Sequence, residues 1–160
     1  MSVFISALKV KEFLGKEYNA KKQVSHVTYI YSLDFRPITH LSEFEEGYYR
    51  TEYTDMKSMN LSCQAYNRFR QAICNMAHNT TPAFIWKLIT MLKGQPFIEF
   101  INFADNEGCF DYKVAEKLYR DFADYKERAE REIPEFYSQY CTYMEILQDA
   151  ITCKGVVEYS

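Results

Sequence analysis

The spacing of apolar residues changes character along the chain. From Ser62 onward it is helical. Tyr66, Phe69, Ile73 and Met76 fall three, four and three apart, on one helix face behind a capping Ser62. His78-Asn-Thr-Thr-Pro82 is a polar stop, and Thr81-Pro82 has the form of a second cap with Pro at the first helical position. Ile85, Leu88, Ile89 and Leu92 make the stripe of a short helix closed by Gly94. Asp111 caps a helix predicted to reach residue 131, with Ala115, Leu118, Phe122, Tyr125 and Ala129 forming the seam of an antiparallel helix pair. Its outer face carries Glu116/Arg120, Asp124/Arg128 and Glu127/Arg131, acid four residues ahead of base, as on a solvated surface. Pro134 opens the partner helix, with Phe136, Tyr140, Tyr143, Leu147 and Ala150 inward, and Lys154-Gly155 ends it.

Strand patterns are shorter. Residues 24–33 are rich in β-branched and aromatic side chains and predict a strand, ended by Arg36-Pro37. Residues 2–14 fit neither period, and predict a strand followed by a helical turn ending at Gly15. Residues 17–23 read as a polar connection, and 41–53 as an acidic, aromatic stretch broken at Gly47. Residues 97–103, apolar on both alternating faces, predict a covered strand. The tail 156–159 predicts a short strand beside it, and 104–108 a compact acidic turn. The expected fold is α+β and mainly helical, an antiparallel long-helix pair packed on a small β-sheet in one domain spanning 1–160.

Composition narrows the function classes. A net charge of −3 with both signs mixed argues against a non-specific nucleic-acid binder, which needs surplus Lys and Arg to displace counterions. The longest apolar runs are far below a membrane span and no signal peptide opens the chain, so a cytoplasmic location and no membrane partner are expected. Five cysteines with no CxxC or Cys/His zinc spacing predict reduced thiols. Fourteen Tyr and twelve Phe beside one Trp are the unusual feature. A buried phenol wants a hydrogen-bond partner, so these tyrosines either occupy half-buried helix positions or line an aromatic binding face.

Three segments carry candidate chemistry. Tyr66 and Arg70 stack on one helix face, with Asn67 and Arg68 pointing elsewhere, and Arg beside aromatic groups suits phosphate or carboxylate recognition as well as plain solvation. In the turn, Asp105, Asn106 and Glu107 either satisfy local backbone donors, contact a ligand, or supply a catalytic carboxylate. His26-Val-Thr28 and His78-Asn-Thr80 are two His-x-Thr elements, the pattern of phosphoesterases with paired imidazoles, although the second copy lies in a polar turn. No phosphate-cradling Gly-rich loop or Ser/His/Asp set occurs, and no cofactor is implied.

Four segments also resemble a known family. Ser62-Cys-Gln-Ala-Tyr66-Asn67-Arg-Phe69-Arg70 is similar to S-Y-S-G-Y-N-x-W-R, and Ile101-Asn102-Phe103-Ala-Asp105-Asn-Glu107-Gly108 to I-N-F-S-D-C-E-G. Ala115-x-x-Leu118-x-x-Asp121-Phe122 and the closing Gly155-x-Val157-x-Tyr159 continue the match. All four resemble a family of small uncharacterised phage and bacterial proteins, across 56–160, while 1–55 resembles nothing known. The resemblance implies a phage or prophage setting and no activity. Ala104 stands for the family Ser, and Asn106 for its Cys, which speaks against a family-wide thiol chemistry. Together these features predict a phage- or prophage-type accessory protein acting by binding a host protein or a small signalling ligand, inhibiting a host defence protein or sequestering a defence signal, with self-association open. The contact residues would be Tyr66, Asn67, Arg68, Arg70, Asp105, Asn106 and Glu107. The rival expectation is a small hydrolase or phosphodiesterase using Asp105, Glu107 and a His.

Overall fold

The structure, a computed structural model, describes residues 1–18, 26–30, 43–103 and 108–160. It is α+β, and of the described residues 49% are helical and 30% lie in strands. Five strands form one curled antiparallel sheet: β1 (Ser2–Gly15), β2 (Val27–Ile30), β3 (Gly47–Ser62), β4 (Gly108–Asp111) and β5 (Val156–Tyr159), in the order β2-β3-β1-β5-β4. The expected helical turn before Gly15 does not form, because β1 stays extended and pairs with β3 along its whole length. Register shifts at Ser6/Leu8, Val10/Glu12 and Phe13/Gly15 explain the confused periodicity, since each bulge flips the faces of the residues after it. Gly47 is a start rather than a break: with φ at 152°, its missing Cβ leaves room for Phe13 Cε2, which would lie 2.5 Å away. Of the strand expected over 24–33, β2 is the described part; Arg36-Pro37 lies outside the described residues.

The helices follow their caps. Ser62 Oγ accepts from Ala65 N at 3.0 Å to open α1 (Cys63–His78), and Thr81-Pro82 opens α2 (Pro82–Lys87). The stripe expected to continue this helix to Leu92 instead runs through turns after Lys87. The largest correction concerns 97–103. Phe97 is left-handed (φ 60°), and Ile98–Asn102 is a short helix, α3, buried on every side. A short apolar run does not distinguish a buried strand from a buried helix. A tertiary contact decides: Asp121 Oδ2 accepts the Phe97 N–H at 2.9 Å, and the helix's own first bond, from Ile101 N to Phe97 O, closes at 2.8 Å. β5 therefore pairs with β1 and β4, not with 97–103.

Asp111 Oδ1 accepts from Lys113 N at 3.0 Å and Val114 N at 3.3 Å, opening α4 (Tyr112–Asp124). The single helix expected to 131 breaks at Tyr125, and α5 (Lys126–Glu132) follows. Its ion pairs differ from those expected: Lys117 binds Asp121 at 2.6 Å and Glu99 at 2.8 Å, and Arg128 binds Glu132 at 2.8 Å. A 3₁₀ turn at Pro134–Phe136 leads into α6 (Tyr137–Cys153). The left-handed residue ending α6 is Lys154, while Gly155 is required for space: a Cβ there would lie 1.9 Å from Leu8 O.

Between helices and sheet lies an aromatic core. Phe122 stacks on Tyr143 at 5.1 Å, and Phe100 meets Tyr143 edge-on at 5.0 Å. Tyr159 joins the hydroxyls of Tyr66 (3.2 Å) and Tyr143 (2.6 Å), while Tyr140 donates to Phe122 O at 2.7 Å. Four phenols are thus buried with partners, so much of the tyrosine surplus belongs to the core. No described helix is long and apolar enough to cross a membrane.

Candidate functional site

The residues singled out from sequence separate into different environments. Tyr66 is fully buried in the core. Arg70 is buried too, its guanidinium 5.5 Å from the Tyr66 ring and 5.3 Å from the Trp86 ring. It donates to Phe103 O at 2.8 Å and to Asn67 Oδ1. Trp86 Nε1–H is bound to Ile101 O at 3.1 Å, so these two side chains tie α1 and α2 to the C-terminal end of α3. Among the described residues Arg70 pairs with no carboxylate. Arg68 faces away and is exposed; with Asn67, Gln71, Asn75 and Glu135 it lines a shallow groove of about 690 Å³. Asp105, Asn106 and Glu107 lie outside the described residues. The matched segments thus supply fold contacts: Tyr66, Arg70, Asp121, Gly155 and Tyr159 all hold elements together.

The two His-x-Thr elements do not converge. His78 Nε2 lies 2.7 Å from Pro96 O, at the end of α1. His26, just ahead of β2, packs at a tilt against the Tyr53 ring, centroids 4.8 Å apart, and places Nε2 3.5 Å from Glu158 Oε2. That nitrogen is buried but not aligned to donate to the carboxylate, so it makes no hydrogen bond.

A polar constellation does form on the sheet face turned from the helices. Tyr159 points to α1 and α6, so its neighbour Glu158 points the other way, as strand alternation requires. Cross-strand pairing sets Glu158 beside Ser6 on one side and Cys109 on the other. The sheet curls around this face until its far edge returns: Thr28 Oγ1 donates to Glu158 Oε1 at 2.9 Å, and Cys109 Sγ to Tyr29 O at 3.7 Å. Thr51 Oγ1 lies 3.0 Å from Thr28 Oγ1. Burial and then the Glu158 charge push the Tyr53 phenol up, and burial above all pushes the Cys109 thiol to about 12. Both stay protonated near neutral pH, so neither is an anionic nucleophile there.

Beside this cluster the β1–β3 ladder opens. Ser6 pairs with Ser58 and Leu8 with Tyr53, so β3 spends five residues where β1 spends two. The excess segment, 54–57, leaves the ladder and rims a cavity of about 220 Å³. Phe4 and Tyr53 stand edge-to-face at 6.3 Å in its wall. Ser6, only 3% exposed, also lines it, and its Oγ is buried with no hydrogen-bond partner. A buried hydroxyl left unpaired costs about 1–3 kcal/mol. Lys57 reaches from the rim to α6, its N–H 3.3 Å from Asp149 Oδ2 and its Nζ 3.4 Å from Glu145 Oε2.

Sequence reading missed Ser6, Tyr53, Lys57 and Glu158. The one local signal was Glu158, a carboxylate inside the apolar strand Val156–Tyr159. The bulge that makes the cavity depends on two strands far apart in sequence and leaves no local mark. Among the described residues no three His, Cys, Asp or Glu side chains gather to hold a metal ion. Compared with models of protein families, with curated proteins and with solved structures, the chain matches none.

Proposed function

We propose that this chain is an accessory protein that acts by binding a small ligand in the cavity beneath the β3 bulge. In the phage or prophage setting implied by the resemblance of its four segments, that ligand is a signal of the host defence. The observation that supports the reading is the Ser6 hydroxyl, buried and unpartnered in the lining of an aromatic-walled cavity. Arg70 and Tyr66, first candidates for the contact, serve the fold in this reading, and Arg68 lies on a separate groove.

The test compares the wild type with Ser6→Val, which replaces the hydroxyl in the cavity lining by a methyl group and adds a second. Each protein is incubated with host lysate, washed, denatured, and the released small molecules analysed by mass spectrometry. The wild type should retain a compound that Ser6→Val does not, with both proteins equally folded by circular dichroism. Equal retention by both removes this cavity from the reading. The hydrolase reading is favoured by one contact, the approach of His26 to Glu158 beside Thr28. Turnover of bis-p-nitrophenyl phosphate by the wild type, lost in His26→Ala, would replace binding with hydrolysis.

A further inference from the structure

Charge is unevenly placed along this chain. It has 22 acids and 19 Lys and Arg, yet residues 56–98 hold five of those bases and no Asp or Glu. Inside this basic section, apolar side chains stand in solvent: Phe84 is 51% exposed, Trp86 41% and Met91 79%. Single exposed apolar residues are ordinary, whereas a close group of large ones marks an interaction surface.

The backbone lines them up. Phe84 N closes a turn on Thr81 O, Leu88 N on Ile85 O and Met91 N on Leu88 O, at 3.1, 3.0 and 2.9 Å. Side chains three and four apart on successive turns are neighbours, so Phe84, Leu88 and Met91 form one outward stripe. Ile85, Ile89 and Leu92, each one position further on, turn to the core. Lys87 lies three residues after Phe84 and four before Met91, beside the stripe, while Trp86 and Lys93 flank it. Both lysines are exposed, and among the described residues neither makes an ion pair. Glu99, the next acid along the chain, is held by Lys117 at 2.8 Å.

These features select what covers the stripe. A second copy in a two-fold contact would set the lysines against themselves. A protein partner of ordinary size buries about 800 Å² on each side, more than three side chains present. A lipid bilayer needs no matching shape: each apolar side chain enters separately, while lysine stems lie along the apolar boundary and their ammonium groups stay at the phosphates. Such a contact lies on the bilayer and requires no spanning helix.

We propose that Phe84, Leu88 and Met91, with Lys87 and Lys93 beside them, form a peripheral docking surface for an anionic lipid bilayer. None of these residues lines the cavity beneath the β3 bulge, so this surface is separate from the ligand reading.

The full chain is mixed with vesicles of phosphatidylcholine, alone or with an equal part of phosphatidylglycerol, and sedimented. Binding to the mixed vesicles should be about 25-fold tighter, about fivefold for each lysine at an anionic surface. High salt should narrow the difference. Emission of Trp86, the single tryptophan, should move to the blue on binding. Lys87→Gln/Lys93→Gln should bring the two vesicle types to equality. Phe84→Ser and Met91→Ser should each weaken binding about tenfold, and both should melt at the wild-type temperature because these side chains are mostly exposed. Absence of binding to the mixed vesicles, equal wild-type binding to both types, or full binding by Phe84→Ser/Met91→Ser overturns the proposal. So does poly-glutamate bound as tightly as the mixed vesicles, which would assign the surface to an acidic protein.

Discussion

Replacing Arg70 by Met tests whether the most conspicuous charged side chain of the matched segments serves the fold or a ligand. Met keeps most of the apolar stem and removes the guanidinium. The balance has two main losses and one offset. Phe103 O forfeits the donor at 2.8 Å, and a hydrogen bond from a charged group contributes about 1.5–3 kcal/mol. The contacts to the Tyr66 and Trp86 rings, at 5.5 and 5.3 Å, are each worth about 0.5–1 kcal/mol or more when desolvated. Arg70 Nε works the other way: it is buried without a hydrogen-bond partner, so its removal returns part of the cost. A net destabilisation of about 2–4 kcal/mol follows, lowering Tm by roughly 10 °C in a chain of this size. Trp86 is the single tryptophan, so its fluorescence reports directly on the altered contact. Urea unfolding followed by Trp86 emission and by far-ultraviolet circular dichroism should show coincident transitions shifted to lower denaturant. A variant within about 0.5 kcal/mol of the wild type, as an ordinary surface substitution would be, refutes the reasoning. The guanidinium would then be held ready for a partner and not for Phe103.

Three further outcomes can be checked. Gly155→Ala should cost at least the upper part of the about 1–3 kcal/mol typical of overpacking, because its Cβ would lie 1.9 Å from Leu8 O and 2.9 Å from Cys153 Sγ. Gly94→Ala meets nothing within 4 Å and pays only for a φ of 85°, so a thermal melt in which Gly94→Ala is the worse of the two would contradict the packing. No disulfide joins the five cysteines, and burial pushes Cys74 up to about 11 and Cys109 to about 12. At about pH 8 a thiol reagent should leave these two unmodified in the native protein and modify all five after denaturation; native labelling of Cys109 at the denatured rate would contradict its burial. Alkaline pH should destabilise the fold. Groups with a raised folded pKa hold their protons longer folded than unfolded, so their contribution is intact below the ordinary thiol value of 9.0 and is lost as pH climbs towards about 12. Tyr143 and Tyr159, also raised by burial, add to the loss above 10.0. Chemical denaturation across this range should show a shallower decline for Cys109→Ala between about pH 9 and 10, and stability that rises with pH there would reverse the sign and sink the argument.

Sequence alone determined the elements whose cause is local. Ser62, Thr81-Pro82 and Asp111 each satisfy backbone donors a few residues away, and their helices begin where those caps stand. The inward faces of α1, α4 and α6 follow from a period of 3.6, and Tyr66, Phe69, Phe122 and Tyr143 are buried as that spacing requires. The tertiary structure decided whatever depends on a distant partner. Residues 97–103 are too short and too uniformly apolar to choose a period, and Asp121 settles them as helix by binding the Phe97 N–H. β1 hid its strand character because bulges set by β3 shift its faces. Arg70 looked like a surface group until α2 and α3 closed over it. The cavity is the extreme case: its Ser6 and Tyr53 meet only because β3 spends five residues against two of β1, and strand register is a property of two segments together.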